Sequence, residues 1–441
     1  MKKSLLWIVV LILSISMVAA FSFAGCKAKE EAVVEEEAVV EEEAVTEEEA
    51  PAETILVRFW NGFTASDGDI LREIVARFNE ENELGIVVEI NIMPWDNMME
   101  KLAPSLTTGT APELILLDSE AVPEYAGSGG LIPLDEFWDW SGLDKGNYAQ
   151  NILEPFVFED VTYGIPMQCS TTYLYWNKDL FIEAGLDPEQ PPKTFDELKE
   201  YAAKLTDLSK QQYGFAVAND SQSIAYFLWS NGGEWLNSDK TEAACDSPEM
   251  IEVLTMLQDF GKDGVTPIGM NSPDCDRLFT AGKSAMFIQG PWLINGLKQL
   301  GLNFGIGATP ASNSGELWTP SGVCGYMVTE SATEEGKIAA FEFIKYWISK
   351  DILKEWTLRN GFPAWSDEVI ADEEVQNDPI QSVLGPLTQY GRGNIFPGMP
   401  EAGQIRDDYL NPLFEQLMYN EITPEDCARQ LAEGINTVLG N

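Results

Sequence analysis

Histidine is missing from all 441 residues, which removes the side chain that most often serves as metal ligand and as general base near neutral pH. Ser-His-Asp, Cys-His and His-zinc chemistries are therefore excluded, whereas chemistry that needs only carboxylates is not. Basic residues are scarce too: 27 Lys and Arg stand against 72 Asp and Glu, a net charge of −45. That balance argues against a nucleic-acid ligand, whose phosphates need clustered cations. It disfavours strongly anionic ligands as well, although a local pocket can override the global field. The six cysteines contain no Cys-x-x-Cys, so neither a zinc ribbon nor a redox pair is indicated. A P-loop is absent, and Gly305-Ile306-Gly307 lacks the third glycine of a dinucleotide fingerprint. No cofactor and no metal are expected.

What is present begins with an address. Lys2 and Lys3 precede an apolar run from Leu5 to Ala20, short for a membrane span and closed by Phe23-Ala24-Gly25-Cys26. This is the layout of a signal peptide over 1–25. The residues before Cys26 resemble a bacterial lipobox, with Phe23 where that motif usually has Leu, which implies lipidation of Cys26. Residues 26–53 then form an acidic low-complexity linker in which Glu-Glu-Glu-Ala-Val recurs from Glu35 to Ala50. A repeat of six does not match helical periodicity, and dense like charge opposes collapse, so an extended spacer is expected. Of the total charge, −10 lies in the linker and +2 in the leader, leaving −37 on residues 54–441.

The body alternates between β and α patterns. Thr54–Trp60 and Ile86–Met93 read as strands around a helix bearing Ile70, Leu71, Ile74, Val75 and Phe78 at helical spacing. A helix over about Asp96–Thr107 precedes an apolar strand within Pro112–Leu117. This βαβαβ order predicts a mainly parallel sheet, with ligands beyond the carboxyl ends of its strands. The loops Asn61–Asp67 and Asp118–Glu120 emerge there. The alternation resumes with a strand at Thr172–Trp176, a helix at Phe195–Leu205, strands at Tyr213–Val217 and Ala285–Gln289, and a helix starting at Gly290-Pro291-Trp292. Two such sheets predict two lobes with a cleft between them. After Cys26 five cysteines remain; Cys245 and Cys275 share one lobe and are candidates to pair, and Cys169 is a candidate cleft-lining thiol.

A set of motifs carries a family resemblance. Thr108-Gly109-Thr110-Ala111-Pro112-Glu113-Leu114, Gly129-Gly130-Leu131-Ile132-Pro133-Leu134, Tyr163-Gly164-Ile165-Pro166 and Leu174-Tyr175-Trp176-Asn177-Lys178-Asp179-Leu180 occur in that order. They are followed by Phe279-Thr280-Ala281-Gly282-Lys283-Ser284-Ala285-Met286-Phe287-Ile288-Gln289-Gly290-Pro291-Trp292, the most specific piece, then Ala339–Trp347 and Thr423–Leu439. Across residues 54–441 the chain resembles the maltose-binding type of extracellular sugar-binding proteins of ABC importers.

The resemblance implies an α/β, two-lobe periplasmic-binding-protein-like fold (class II type), each lobe a mainly parallel sheet flanked by helices. It divides the chain into lobe 1 at 54–167 plus about 309–347, and lobe 2 at about 168–308 plus 348–441. It implies that Trp292 stacks on a sugar, that Glu120 with its neighbour Asp118 contacts ligand, and that Arg392 and Phe396 approach it. Trp60, Asn61, Thr64 and Asp67 then line the cleft around the first strand's end, Gln168 and Thr171 follow the hinge, and Gln222 faces the site. Leu117 departs from the maltose-binding member, which has Trp there. The implied protein is a non-enzymatic, monomeric carrier, exported and lipid-anchored on the outer side of the cytoplasmic membrane. It delivers a mono- or oligosaccharide to ABC permease subunits.

Chemistry supports that set, because sugars offer CH faces to aromatic rings and hydroxyls to carboxylates and amides. Each residue has a plainer reading. Asp67 is also placed to cap the following helix, Glu120 to be solvated surface, and Trp229 and Trp235 to pack core or rim. Trp95, Trp318 and Trp365 lie in loops, where they line a cleft or cover the core. The rival functions are a lipid-anchored glycosidase using paired carboxylates and a docking module with an exposed apolar patch.

Overall fold

β-branched and aromatic side chains at Ile55–Asn61 favour a pleated strand, β1, in which Val57, Phe59 and Asn61 alternate inward. A computed structural model describes residues 54–312, 317–393, 395–396, 399 and 401–440. The signal peptide, Cys26 and the acidic linker lie outside the described residues.

Helix α1 (Ser66–Glu81) buries Ile70, Leu71, Ile74, Val75 and Phe78, the stripe that its spacing predicts. It leads to β2 (Ile86–Ile92), which runs parallel to β1 with Ile55 opposite Ile86. Helix α2 (Trp95–Thr107) leads to β3 (Leu114–Asp118), parallel to β1 on its other edge. A small hairpin, β4 (Val157–Phe158) and β5 (Val161–Thr162), precedes β6 (Ile165–Thr171). After a single residue, Thr172, the chain enters β7 (Tyr173–Asn177), the centre of a second sheet.

β8 (Met286–Gln289) and β9 (Phe304–Gly307) flank β7 and both run against it, hence with each other. The segment Tyr213–Val217 is joined to this sheet only by isolated parallel bridges, Tyr213 to Ser284 and Ala216 to Phe287. The expected continuous strand is thus reduced to two contacts. β10 (Thr319–Val328) returns to the first sheet, antiparallel to both β3 and β6, and β11 (Gly391–Arg392) pairs with its start. The Thr172 and Thr319 hydroxyls hydrogen-bond each other where the two crossing segments meet.

The second lobe adds helices α3 (Phe195–Leu205), α4 (Ser221–Ser230), α5 (Pro248–Lys262), α6 (Ser272–Thr280) and α7 (Ile294–Gln299). Helices α8 (Glu334–Trp347) and α9 (Lys350–Asn360) follow β10, and α10 (Asn411–Met418) and α11 (Pro424–Val438) close the chain. Aliphatic and aromatic side chains form one core around the first sheet and two adjoining clusters around the second. The fold is therefore α/β with two lobes.

One boundary moves. The expected second lobe began again at 348, yet Ile348, Ile352, Leu353, Trp356, Phe362, Trp365, Val369 and Val375 all belong to the first core. The side chains that rejoin the second lobe's clusters start at Ile380, with Leu384 the first that is fully buried there. The physical reason is the aromatic packing of α9 on α8, with Trp347 and Trp356 at a ring separation of 5.0 Å. The five cysteines after Cys26 are all buried and unpaired, Cys245 and Cys275 included.

Candidate functional site

Between the lobes lies a cleft of about 1850 Å³. Its first wall is the carboxyl edge of the first sheet. Strand register brings Asp118 opposite Cys324 and Cys324 opposite Gln168, so that three strands present one row of polar side chains on one face. The Cys324 thiol donates to Asp118 Oδ1 at 2.9 Å. Gln168 Oε1 accepts from the Trp356 indole N–H at 2.9 Å, which fixes the amide and leaves its NH₂ as the group offered to the cleft. The thiol that lines the cleft is thus Cys324. The expected Cys169 turns away, with its Sγ on the Pro363 carbonyl.

Asp118 and Glu120 are reached by water in the cleft, yet recessed so far that crowding protein, more than direct contact, weakens their hydration. Desolvation raises both carboxyls, Glu120 to about 7, and Asp118 pushes Glu120 further up while Arg406 pulls both down. Asp67, only 4% exposed, is raised by burial to about 7. Its Oδ1 accepts from the Gly68 N–H at 2.8 Å, in the first turn of α1. It is both a cap-like side chain and part of the cleft wall.

The second wall is built around Trp292, which sits in a tight turn, Pro291–Leu293, directly after β8. Its ring folds back over Gly290, where an added Cβ would lie 1.8 Å from a ring carbon. Trp95 does the same over Gly62 on the first wall, at 2.2 Å. Beside Trp292, the Gln289 amide donates to Asp276 Oδ1 and to Ser272 Oγ, both at 2.7 Å. Burial raises the Asp276 carboxyl to about 6 against the pull of Gln289 and Trp292, which both donate to it. Gln222 lines the cleft from the start of α4, which Asp220 caps by accepting from the Ser223 N–H at 2.9 Å. Arg392 is clamped in place: it holds Glu234 through both terminal nitrogens, at 2.9 and 2.5 Å, and stacks on Trp229 at 4.8 Å.

Of the residues expected from sequence, the structure brings Thr64, Asp67, Asp118, Glu120, Gln168, Gln222, Trp292 and Arg392 to this one cleft. Four stand elsewhere. Trp60 is half-buried and packs on the first core. Asn61 is fully buried, and its Oδ1 accepts from the Phe63 N–H, shaping the loop from below. Thr171 is 2% exposed, while its neighbours Ser170 and Thr172 line the cleft; strand alternation turns it to the other face. Phe396 is buried in the second core with its ring edge-on to Trp235. Sequence reasoning missed Phe63, Cys324, Asp276 and Gln289 and left Trp95 undecided, though Gly62 and Gly290 are traces of close ring-on-backbone packing. Trp365 covers the first core. No cluster of acidic and thiol groups able to hold a metal occurs among the described residues.

The model of one family, described as bacterial extracellular solute-binding protein, matches residues 73–382. The chain belongs to that family. Its relatives include a maltotriose-binding protein of Pyrococcus abyssi, 26% identical over 324 residues, covering 72% of this chain and 68% of that one. The sn-glycerol-3-phosphate-binding periplasmic protein of Brucella melitensis is 26% identical over 382 residues, covering 82% and 87%. Among solved structures, the solute-binding protein of an ABC transporter from Thermotoga lettingae, bound with alpha-D-tagatose, superposes with a TM-score of 0.79 at 26% identity. That match covers 88% of this solute-binding protein and all of its counterpart. The family is one of extracellular binding proteins, not of enzymes.

Proposed function

We infer that this solute-binding protein captures a saccharide in its inter-lobe cleft and hands it to the permease of an ABC importer. The observation that carries the reading is the pairing of unlike walls. A tryptophan held over Gly290 lines the same cleft as a row of carboxylate, thiol and amide groups fixed by strand register. Aromatic rings suit the CH faces of a pyranose, and compact directional acceptors and donors suit its hydroxyls. The sugar ligands of two relatives agree with this. The cleft argues against the phosphate ester named for the third, because its lining holds eight carboxylates and only three basic side chains.

The leader and Cys26 support export and lipid anchoring outside the cytoplasmic membrane, with the acidic linker as spacer and the body acting as a monomer. The lobe division we favour follows the cores, with the second lobe resuming near Ile380. The carrier is not a glycosidase: carboxylates on both walls serve recognition, and release to the permease replaces turnover.

Thermal unfolding against a panel of mono- and oligosaccharides tests this. A ligand at about 100 times its Kd stabilises by ~2.7 kcal/mol, and the sugar is recovered unaltered. Cleaved sugar would install the glycosidase reading, and a flat response across the panel would remove the saccharide reading.

A further inference from the structure

Ser66 opens helix α1 one position after the place where a serine would cap it. Its hydroxyl serves the other lobe instead. The Ser66 Oγ donates to the Trp292 carbonyl at 3.4 Å and accepts from the Gly296 N–H at 3.1 Å, partners 226 and 230 residues away in the chain. Those two groups lie four residues apart, the pair that a regular helix joins directly. Helix α7 has no capping side chain of its own. One hydroxyl of the first lobe thus satisfies an open donor at the start of a second-lobe helix.

A second contact lies beside the first. Ile294, from the same helix, packs where Gly361 ends α9 with φ at +82°, and a Cβ there would lie 2.5 Å from the Ile294 Cδ1. Ile294 and Leu297 are buried in a cluster of the second lobe, whereas the Trp292 ring packs against the first core. The segment Trp292–Gly296 therefore bridges the lobes. The chain itself crosses between them elsewhere, at Thr172 and ahead of Thr319. Surfaces joined by no crossing segment are free to separate in a hinge motion. Around Ser66, Thr64, Ala65 and Asp67 line the cleft, as Trp292 does.

We propose that Ser66 is a positioning residue for ligand capture: its hydroxyl clasps the Trp292 turn to the first lobe, and opening of the lobes breaks the clasp. The Trp292 backbone is held from both sides only while the lobes are together, so the clasp slows ligand release. The role of the ring rests on the saccharide reading above; the clasp itself does not.

An ideal Cβ at Gly296 stands 3.8 Å from the Ser66 Cβ, within the usual range across a disulfide. The Ser66→Cys/Gly296→Cys double variant should bridge under an oxidant, read as the loss of two titratable thiols. Small-angle X-ray scattering without sugar should then give the reduced form a larger radius of gyration than the bridged form. Failure to bridge, or identical scattering of the two forms, overturns the clasp. Stopped-flow kinetics with the panel sugar that binds most tightly give a second arm. Ser66→Ala should release that sugar about tenfold faster, with association nearly unchanged. An unchanged release rate overturns the clasp and leaves the saccharide reading standing. If no sugar of the panel binds, the saccharide reading falls and scattering alone decides the clasp.

Discussion

The two walls of the cleft are made in different ways. On the first wall, Asp118, Cys324 and Gln168 are strand residues locked in register across three strands, and Gln168 is tied through Trp356 into the first core. On the second, Trp292 stands in a tight turn after β8 and leans on a glycine, and Asp276 and Gln289 brace it. The first wall is continuous with the folding core, so its polar groups are held by the same interactions that hold the lobe together. The second presents a ring on a short irregular segment, half-buried at the edge of the first core, so it is less deeply tied into folding than the strand residues. Changes on the first wall should therefore move the melting temperature as well as affinity, and changes around Trp292 should move chiefly affinity.

Four substitutions sharpen or break that contrast. Asp67→Asn has the largest expected effect. Burial holds the folded carboxyl at about 7, well above the ~3.9 of an unfolded chain. Folding favours the protonated form, so this contribution to stability is complete below about pH 4 and is lost as pH rises through 7. The Asn variant should gain about 4 kcal/mol at pH 8 and less than about 1 kcal/mol at pH 4, read by denaturant melts at both pH values. An equal shift at both would contradict the burial argument.

Trp292→Ala comes next. It should weaken saccharide binding about 100-fold, ~2.7 kcal/mol, while the melt of the ligand-free protein barely changes. A large loss of stability would mean that the ring belongs to the fold. Gln168→Leu reverses the pattern: it strands the Trp356 indole N–H, 1% exposed, and should destabilise by about 2 kcal/mol in a thermal melt. The smallest effect is that of Gly290→Ala. The new methyl pushes the Trp292 ring aside and should cost about tenfold in affinity, ~1.4 kcal/mol, measured by calorimetric titration beside the Trp292 variant.

The same contrast explains what was legible in the sequence. The βαβαβ start was readable because strand alternation and helical stripes are local, as Val57, Phe59 and the α1 stripe show. Asp118, Glu120 and Asp67 were placed correctly at the sheet's carboxyl edge by topology alone. The lobe boundary was not legible, because α9 bears Lys350, Asp351, Lys354, Glu355 and Arg359 among Ile352, Leu353 and Trp356. Nothing in an amphipathic pattern says which core its apolar stripe will join. Thr171 and Asn61 failed for a simpler reason: membership of the right segment does not fix which face a side chain takes, and strand parity is settled by one residue. Cys324 was invisible because its place beside Asp118 depends on a strand more than 200 residues later in the chain.

The most direct test of the central claim, that two unlike walls capture one saccharide, is calorimetric titration of the sugar that gives the largest thermal shift. It should be run on the native protein, on Trp292→Ala and on Asp118→Asn/Glu120→Gln. The account predicts one sugar bound per chain, recovered intact, with affinity weakened by changes on either wall. Binding that survives both changes, or a sugar returned in cleaved form, would contradict it.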